Sequence, residues 1–322
     1  MPMRHMRFLA VMLVVFLNFG TQAKAQSCSF SATNFVFGSV DTLSSAPANT
    51  TGTVTIQCGA FLGLLSSISM TVSLGEGRGG ASTASRFMTS STTATTLTYQ
   101  LYRDSGRTQV WGSSYWANGG APVELSKAQL LDTGGTFQLQ IYGREAGGQN
   151  AAVPGSYASV FSLNPTDVRV DYRTCTLILL CTNRTATFPF TVQAAVSPNC
   201  LVTASDLAFG SVGLLDVNHD AASGISVTCT PLSSYSIGLG NGLHSATTVD
   251  RRMQSGAGLQ IGYGLFRNAG RTLAWGSLAS GTSQPAAGSG GVQQFPVYGR
   301  VPPQATPPAG VYSDSIVVTI TY

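Results

Sequence analysis

Two stretches of this 322-residue chain repeat the same landmarks in the same order. In each stretch a first cysteine is followed by a Phe-Gly-Ser-Val motif and then by a second cysteine, 30 residues after the first in one stretch and 29 in the other. Self-similarity of this kind indicates a repeated structural unit. The sequence therefore predicts two copies of one module, which we call the N-terminal copy (residues 26–196) and the C-terminal copy (residues 197–322).

The two copies can be aligned through six landmarks that keep their order along the chain. In the N-terminal copy they are Cys28, Phe37-Gly38-Ser39-Val40, Cys58, Leu101-Tyr102-Arg103, Trp111-Gly112-Ser113 and Tyr142-Gly143-Arg144. In the C-terminal copy they are Cys200, Phe209-Gly210-Ser211-Val212, Cys229, Leu265-Phe266-Arg267, Trp275-Gly276-Ser277 and Tyr298-Gly299-Arg300.

Each copy predicts an all-β fold. Short runs with an apolar residue at every second position, such as 53–56 and 137–141, are separated by clusters of Gly, Ser, Thr and Pro. The segments Asp104-Ser105-Gly106 and Asn268-Ala269-Gly270 are predicted to be tight turns in which the glycine supplies the positive φ. The spacing of strands and turns predicts one immunoglobulin-like β-sandwich per copy.

Residues 1–25 are predicted to be a secretory signal peptide. Arg4 and Arg7 precede an apolar run at 8–17, and Ala23-Lys24-Ala25 offers small residues for cleavage. The apolar run is too short to cross a membrane, which requires about 20 residues. We therefore expect an exported protein.

The six cysteines of an exported chain are expected to form disulfides rather than to bind metal. Pairs within each copy would join Cys28 to Cys58 and Cys200 to Cys229, and the remaining two, Cys175 and Cys181, are six residues apart. The sequence leaves the connectivity open.

Low charge excludes several functions. Charged residues make up 9% of the chain, against about 25% in an ordinary soluble domain, and the net charge is +4. A nucleic-acid partner is therefore not expected, because phosphate binding needs a basic face. Neither a zinc-protease motif nor a nucleophile-elbow motif is present, so the sequence predicts no enzyme, metal or cofactor.

The shared motifs and the C-terminal Tyr312-Ser313-Asp314-Ser315-Ile316 segment resemble the spore coat protein U domain of archaic chaperone-usher pilus subunits. Two such domains in one exported chain resemble the tip adhesins of Csu-type pili. The resemblance implies a pilin-type sandwich whose last strand is missing. A periplasmic chaperone supplies that strand first, and an adjacent pilin subunit supplies it after transfer through the outer-membrane usher. It also implies a fimbrial location at the cell surface and a role in cell adhesion and biofilm formation.

A candidate internal donor strand stands directly before the C-terminal copy. Residues 188–196 alternate in polarity, so one face would carry five apolar side chains. We expect this strand to complete the N-terminal copy within the chain. These five residues are Phe188, Phe190, Val192, Ala194 and Val196.

No such segment follows the C-terminal copy, whose last predicted strand covers 315–322. We expect it to present Ile316, Val318, Ile320 and Tyr322 to a chaperone or donor strand. Two residues separate the predicted cleavage site from Cys28, so the chain is expected to donate no strand itself and to end a fibre.

Three apolar segments unique to the N-terminal copy are predicted to form a tip that binds hydrophobic or abiotic surfaces. Each exposed Leu or Ile forgoes roughly 1.5–3 kcal/mol of burial, which favours a role in binding. The alternatives are that these loops fold into the core, that the protein is a non-adhesive structural pilus or spore coat subunit, or that it is a carbohydrate-binding module. The predicted tip residues are Phe61, Leu62, Leu64, Leu65, Tyr115, Trp116, Leu177, Ile178, Leu179 and Leu180.

Overall fold

A computed structural model describes residues 27–59, 67–82, 85–116, 120–126, 135–176 and 180–322. These residues form twenty β-strands and no helix, which confirms the predicted all-β fold. Within these ranges no helix is long and apolar enough to cross a membrane. The predicted signal peptide lies outside the described residues.

The N-terminal copy forms a sandwich of an eight-stranded and a four-stranded sheet. The eight-stranded sheet has the order β1-β3-β8-β6-β5-β9-β12-β2, and the smaller sheet has the order β11-β10-β4-β7. The strands are β1 (Cys28–Ala32), β2 (Phe35–Val40), β3 (Ala48–Cys58), β4 (Ser67–Leu74), β5 (Arg86–Ser90), β6 (Thr96–Tyr102), β7 (Val123–Ser126), β8 (Thr136–Glu145), β9 (Gly155–Phe161), β10 (Val168–Thr176), β11 (Leu180–Ala186) and β12 (Phe190–Val196).

The C-terminal copy forms a smaller sandwich. Its two sheets have the orders β13-β14-β19-β17-β16 and β18-β15-β20. The strands are β13 (Cys200–Ala204), β14 (His219–Cys229), β15 (Ser234–Leu239), β16 (Arg251–Gln254), β17 (Gln260–Phe266), β18 (Gln284–Ala287), β19 (Val292–Val301) and β20 (Val318–Thr321). The last strand is therefore shorter than the predicted 315–322, because residues 315–317 and 322 are not part of a strand ladder.

Alternating side chains along the strands build each core. In β3, for example, Val54, Ile56 and Cys58 are buried and the residues between them are not. Successive side chains on a strand point to opposite faces, so this pattern places one face of each sheet in the core. The three predicted disulfides are present, and each joins directly opposed residues of neighbouring strands: Cys28–Cys58, Cys175–Cys181 and Cys200–Cys229.

The duplication extends to a buried arginine in each copy. Nη2 of Arg86 donates to the carbonyl oxygens of Leu74, at 3.0 Å, and Trp111, at 2.8 Å. Nη2 of Arg251 makes the equivalent bonds to Leu239, at 3.1 Å, and Trp275, at 2.9 Å. Burial lowers the pKa of Arg86 to about 10, and backbone carbonyls together with the amide oxygen of Gln100, rather than a carboxylate, accept the hydrogen bonds of the guanidinium.

The prediction that glycine supplies the positive φ in the two tight turns is wrong. The residues with positive φ are Arg107, at 56°, and Arg271, at 55°. The Asp104 carboxylate accepts hydrogen bonds from the backbone nitrogens of residues 108 and 109, and Asn268 does the same for 272 and 273. These bonds fix the chain after the turn and place the left-handed residue one position later than the glycine.

The two copies meet at a short junction. Three residues separate β12 from β13, and Nδ2 of Asn199 in this junction donates to Oδ1 of Asp41 at 3.0 Å. Gly290 of the C-terminal copy lies so close to the backbone of Asn150 that a Cβ at this position would be 2.3 Å from the Asn150 carbonyl oxygen. The junction therefore lies at the end of the N-terminal copy where β12 ends.

Acid is expected to weaken the C-terminal copy through Asp220. Arg300 Nε donates to its carboxylate at 2.7 Å, and Arg271 lies 3.1 Å away. The pKa of Asp220 is held below its ordinary value, first by the Arg300 hydrogen bond and then by the charge of Arg271. This stabilisation is present above the unfolded pKa of about 4 and is lost as the pH falls through the lower folded pKa.

Replacement of Asp220 by Asn should flatten the acid dependence of unfolding of the C-terminal copy. The carboxylate is 37% exposed, so the change at neutral pH should stay below about 1 kcal/mol. Thermal unfolding between pH 7 and pH 3 measures it, and an unchanged slope would contradict the assignment. Asn49, at the same position of the N-terminal copy, accepts from Arg144 Nε at 3.3 Å. The reciprocal Asn49→Asp variant should add an acid dependence to that copy.

Candidate functional site

Strand β12 fills a groove in the N-terminal copy. It pairs antiparallel with β9 along Phe190–Val196 and parallel with β2 on its other side. Its exposed residues alternate with buried ones. The five residues predicted to share one face are all buried, with exposed fractions of 0% for Phe188, 3% for Phe190, 0% for Val192, 6% for Ala194 and 4% for Val196.

Aromatic packing anchors the start of this strand. The Phe190 ring stacks on Phe161 of β9 with 4.3 Å between ring centroids, and it lies 5.3 Å from the ring of Phe35 of β2. Phe188 is also fully buried, although it precedes the first residue of β12. The strand thus joins both walls of the groove through its side chains as well as through its backbone.

The same groove lies open in the described C-terminal copy. The segment that corresponds to β2 (residues 207–212) forms no strand. The segment that corresponds to β9 (residues 310–316) forms only one bridge, between Ser313 and Gln254. Val40 is 4% exposed in the N-terminal copy, whereas its counterpart Val212 is 41% exposed. The part of the structure that describes this copy therefore has no strand in the position that β12 occupies in the other.

The groove walls carry half-buried apolar side chains. Leu207 and Phe209 of one wall and Tyr312 and Ile316 of the other pack against the core without being fully buried. Three of the N-terminal counterparts, Phe35, Tyr157 and Phe161, are at most 1% exposed, whereas Phe37, the counterpart of Phe209, is half-buried like it. Sequence reasoning missed Leu207 and Tyr312, although alignment of the two copies carries the signal, because these positions match residues that are fully buried in the completed copy.

The side chain of Asp314 fixes the open wall of the groove. Its Oδ2 accepts from the Tyr263 hydroxyl at 2.7 Å, and its Oδ1 accepts from the Leu243 amide at 2.8 Å. Burial raises the pKa of Tyr263, and the hydrogen bond to Asp314 adds to this rise. The hydroxyl therefore stays protonated and holds the wall in place although no strand pairs with its outer edge in the described residues.

The last strand places the predicted contact residues in two different positions. Ile316 lies on the groove wall, whereas Val318, Ile320 and Tyr322 lie in or just after β20, in the other sheet, at the edge that β11 covers in the N-terminal copy. Strand β20 pairs with β15, and Gly240 N donates to Val317 O next to this ladder. Because hydrogen bonds alternate along an antiparallel pair, the backbone groups of Val318 and Ile320 face away from β15. Ile316, Val318 and Ile320 are half-buried against the core, and Tyr322 is 59% exposed.

Several loops begin and end at the end of the N-terminal copy that lies opposite the junction, which we call the distal pole. Cys175 lies opposite Ser67, and Cys58 N donates to the carbonyl oxygen of Gly135 at 2.8 Å. The described residues that flank 60–66, 127–134 and 177–179 lie at or near this pole. Leu180 at this pole is 67% exposed. The other predicted loop residues, Phe61, Leu62, Leu64, Leu65, Leu177, Ile178 and Leu179, lie outside the described residues.

The structure does not support Tyr115 and Trp116 as part of this pole. Trp116 is 9% exposed and lies over the Arg86 guanidinium at 4.6 Å, so the buried cation holds the ring against the domain. Tyr115 is 58% exposed, but its hydroxyl hydrogen-bonds Asp171 at 3.2 Å, four residues before Cys175 on β10. Four strand residues span about 13 Å, which places Tyr115 on the flank of the domain.

In the described ranges, no three His, Cys, Asp or Glu side chains form a group that could hold a metal ion. What the arrangement can do is bind an extended segment. An open groove with apolar walls and free backbone groups along one edge accepts a strand through hydrogen bonds and alternating side chains.

Comparisons with known proteins agree with the duplicated architecture. The family model of the Spore Coat Protein U domain matches residues 16–164 and 186–319. The chain is also 38% identical over 114 residues to Protein U of Myxococcus xanthus, a match that covers 34% of this chain and 63% of that protein's length.

A solved structure shares the fold. The chain is similar to the crystal structure of the CsuC–CsuE chaperone–tip adhesion subunit pre-assembly complex from archaic chaperone-usher Csu pili of Acinetobacter baumannii, with a TM-score of 0.53 and 18% identity. The match covers 92% of this chain and 100% of the matched chain. At this identity the likeness establishes the fold, which confirms the predicted tandem of immunoglobulin-like, pilin-type sandwiches.

Proposed function

We propose that this chain, which belongs to the Spore Coat Protein U domain family, is an exported pilus subunit that ends its fibre and attaches the cell to surfaces. The C-terminal copy joins it to the pilus, and the N-terminal copy makes the attachment. The proposal follows from a structural difference between the two copies, and the function that it assigns is binding rather than catalysis. The observation that carries it is the groove, filled by β12 in one copy and open in the described part of the other.

The partner of the open groove is an extended segment with apolar residues at alternate positions. β12 supports this assignment because it occupies the equivalent groove with five buried side chains on one face. A periplasmic chaperone supplies such a strand before assembly, the outer-membrane usher exchanges it, and an adjacent pilin supplies it in the fibre. Backbone hydrogen bonds provide affinity and side-chain pockets provide register.

The distal pole is the surface that we assign to attachment. Its support is the exposed Leu180 next to the Cys175–Cys181 disulfide, together with the aliphatic sequences at 61–65 and 177–179. Aliphatic side chains bind non-directionally, in proportion to the area removed from water, so they suit abiotic and other hydrophobic surfaces. The expected partners are therefore surfaces rather than one receptor, and the expected outcome is biofilm formation.

A donor strand fused to the C-terminal copy tests the groove. We design a copy of residues 180–196, with Cys181→Ser, joined after Tyr322 through a short Gly-Ser linker. The appended strand should raise the unfolding midpoint of the C-terminal copy by a few °C for each kcal/mol gained and should block chaperone binding. Calorimetry and co-purification with the chaperone measure these effects.

The matched control carries Val192→Asp within the appended segment only. This change places a carboxylate where an apolar side chain must enter the groove, so the control should neither stabilise the copy nor displace the chaperone. If the unmodified fusion leaves both the midpoint and chaperone binding unchanged, the groove does not accept a strand and the proposal is wrong.

A further inference from the structure

A cleft on the flank of the N-terminal copy has no part in the proposed function. It has a volume of about 430 Å³ and lies between the turn after β6, the segment before β7, and strand β8. This volume lies within the range of small-ligand sites, about 300–1,000 Å³. Its apolar floor includes Val123 and Leu139, and its polar rim consists of Arg103, Gln109, Glu124 and Gln140.

The C-terminal copy shows which of these rim residues are particular to the N-terminal copy. The amide of Gln109 donates to Asp104 at 2.7 Å, and the amide of Leu273 makes the same bond to Asn268 at 2.9 Å. Gln109 therefore corresponds to a leucine. Of the four rim positions, only the arginine is shared.

Two further rim positions also carry a hydrogen-bonding side chain in the N-terminal copy only. Gln140 stands two residues before Tyr142, where the C-terminal copy has Pro296 before Tyr298. Glu124 pairs with Thr71 of β4, and its counterpart in the pairing of β18 with β15 is Pro285. Three hydrogen-bonding side chains thus border the cleft in one copy, where the other has a leucine and two prolines. The fold itself does not require polar side chains at these three positions, because the C-terminal copy forms the same kind of sandwich with a leucine and two prolines there.

Hydrogen bonds to neighbouring residues hold two of the rim side chains, Arg103 and Gln140, in place. Arg103 N donates to Gln109 O at 3.0 Å across the turn, and Arg103 Nη1 donates to the carbonyl oxygen of Pro122 at 3.3 Å. Nε2 of Gln140 donates to Thr53 Oγ1 at 3.1 Å. A preorganised rim loses less conformational entropy when a ligand binds.

The charge of the rim indicates the class of ligand. One arginine, one glutamate and two amides carry no net charge, so they do not favour a charged ligand. Together they supply donors and acceptors for hydroxyl groups, and the apolar floor suits the carbon–hydrogen face of a sugar ring. We propose that this flank cleft binds a neutral saccharide, in addition to the attachment made at the distal pole.

Affinity electrophoresis of the full chain in its chaperone complex tests the proposal. Native gels contain dextran, xylan or galactomannan as the probe, and retardation by at least one of them is expected. Gln109→Leu, which copies the C-terminal residue, and Gln140→Ala should each weaken that retardation about tenfold through a lost hydrogen bond. Gln138→Ala is the matched control, because Gln138 lies exposed on the same face of β8 outside the cleft.

The outcomes separate this proposal from the function proposed above. Retardation that the two cleft variants lose and the control keeps supports the saccharide site. Absence of retardation with all three polysaccharides, or equal retardation of the cleft variants and the wild type, overturns it. Attachment of cells to polystyrene should be unchanged in Gln109→Leu, because that contact is assigned to the apolar loops at the distal pole and not to the cleft.

Discussion

Val192→Asp is expected to unfold the N-terminal copy while leaving the C-terminal copy folded. Val192 is 0% exposed and lies between Ser159 of β9 and Phe35 of β2. A carboxylate at this position would lie in an apolar groove without a partner, at a cost of several kcal/mol, and the valine's own burial would also be lost. Because a domain is stable by only about 5–15 kcal/mol, this single change removes much of the margin.

The neighbouring Gln193→Asp is the matched control for that experiment. Gln193 lies on the same strand with its side chain exposed, so the same new charge should change stability by less than about 0.5 kcal/mol. Calorimetry should show the transition of the N-terminal copy vanish in Val192→Asp and persist in Gln193→Asp. Equal behaviour of the two variants would mean that β12 does not complete the N-terminal fold.

Replacement of residues 177–180 by Ser and Thr is expected to reduce attachment of cells to polystyrene to background. Four aliphatic side chains, each worth roughly 1.5–3 kcal/mol when buried, would no longer gain from contact with an apolar surface. The loop's closing disulfide, Cys175–Cys181, is retained, so the strands β10 and β11 should keep their register. Counting attached cells under flow measures the effect.

The control for this experiment uses exposed aliphatic residues elsewhere. Leu232 is 72% exposed and Val249 is 77% exposed in the C-terminal copy, so Leu232→Ser and Val249→Ser each remove an exposed aliphatic side chain outside the distal pole. Both controls should attach normally. Secretion and chaperone binding of the loop variant should match the wild type. Undiminished attachment of the loop variant would exclude these residues as the contact.

The sequence predicted best those features that depend on residues close together along the chain. Alternation along 188–196 identified five side chains that the structure buries, because a strand's side chains change face at every residue. The duplication and the cysteine spacing likewise predicted two sandwiches with three disulfides. Prediction failed at Trp116, whose position depends on Arg86, thirty residues away along the chain and visible only as a neighbour in the fold.

The sequence by itself determined that this protein is a tandem of two all-β copies, because periodicity, turn residues and repeated motifs can be read from short stretches of the chain. The alternation along 188–196 also indicated which copy is completed within the chain, whereas only the tertiary structure decided which side chains that strand covers. Val40 and Val212 occupy the same motif, yet one is 4% and the other 41% exposed. The cause is β12, which covers the first. Burial of a side chain depends on which strand lies beside it, and strand neighbours come from the folded chain rather than from local sequence.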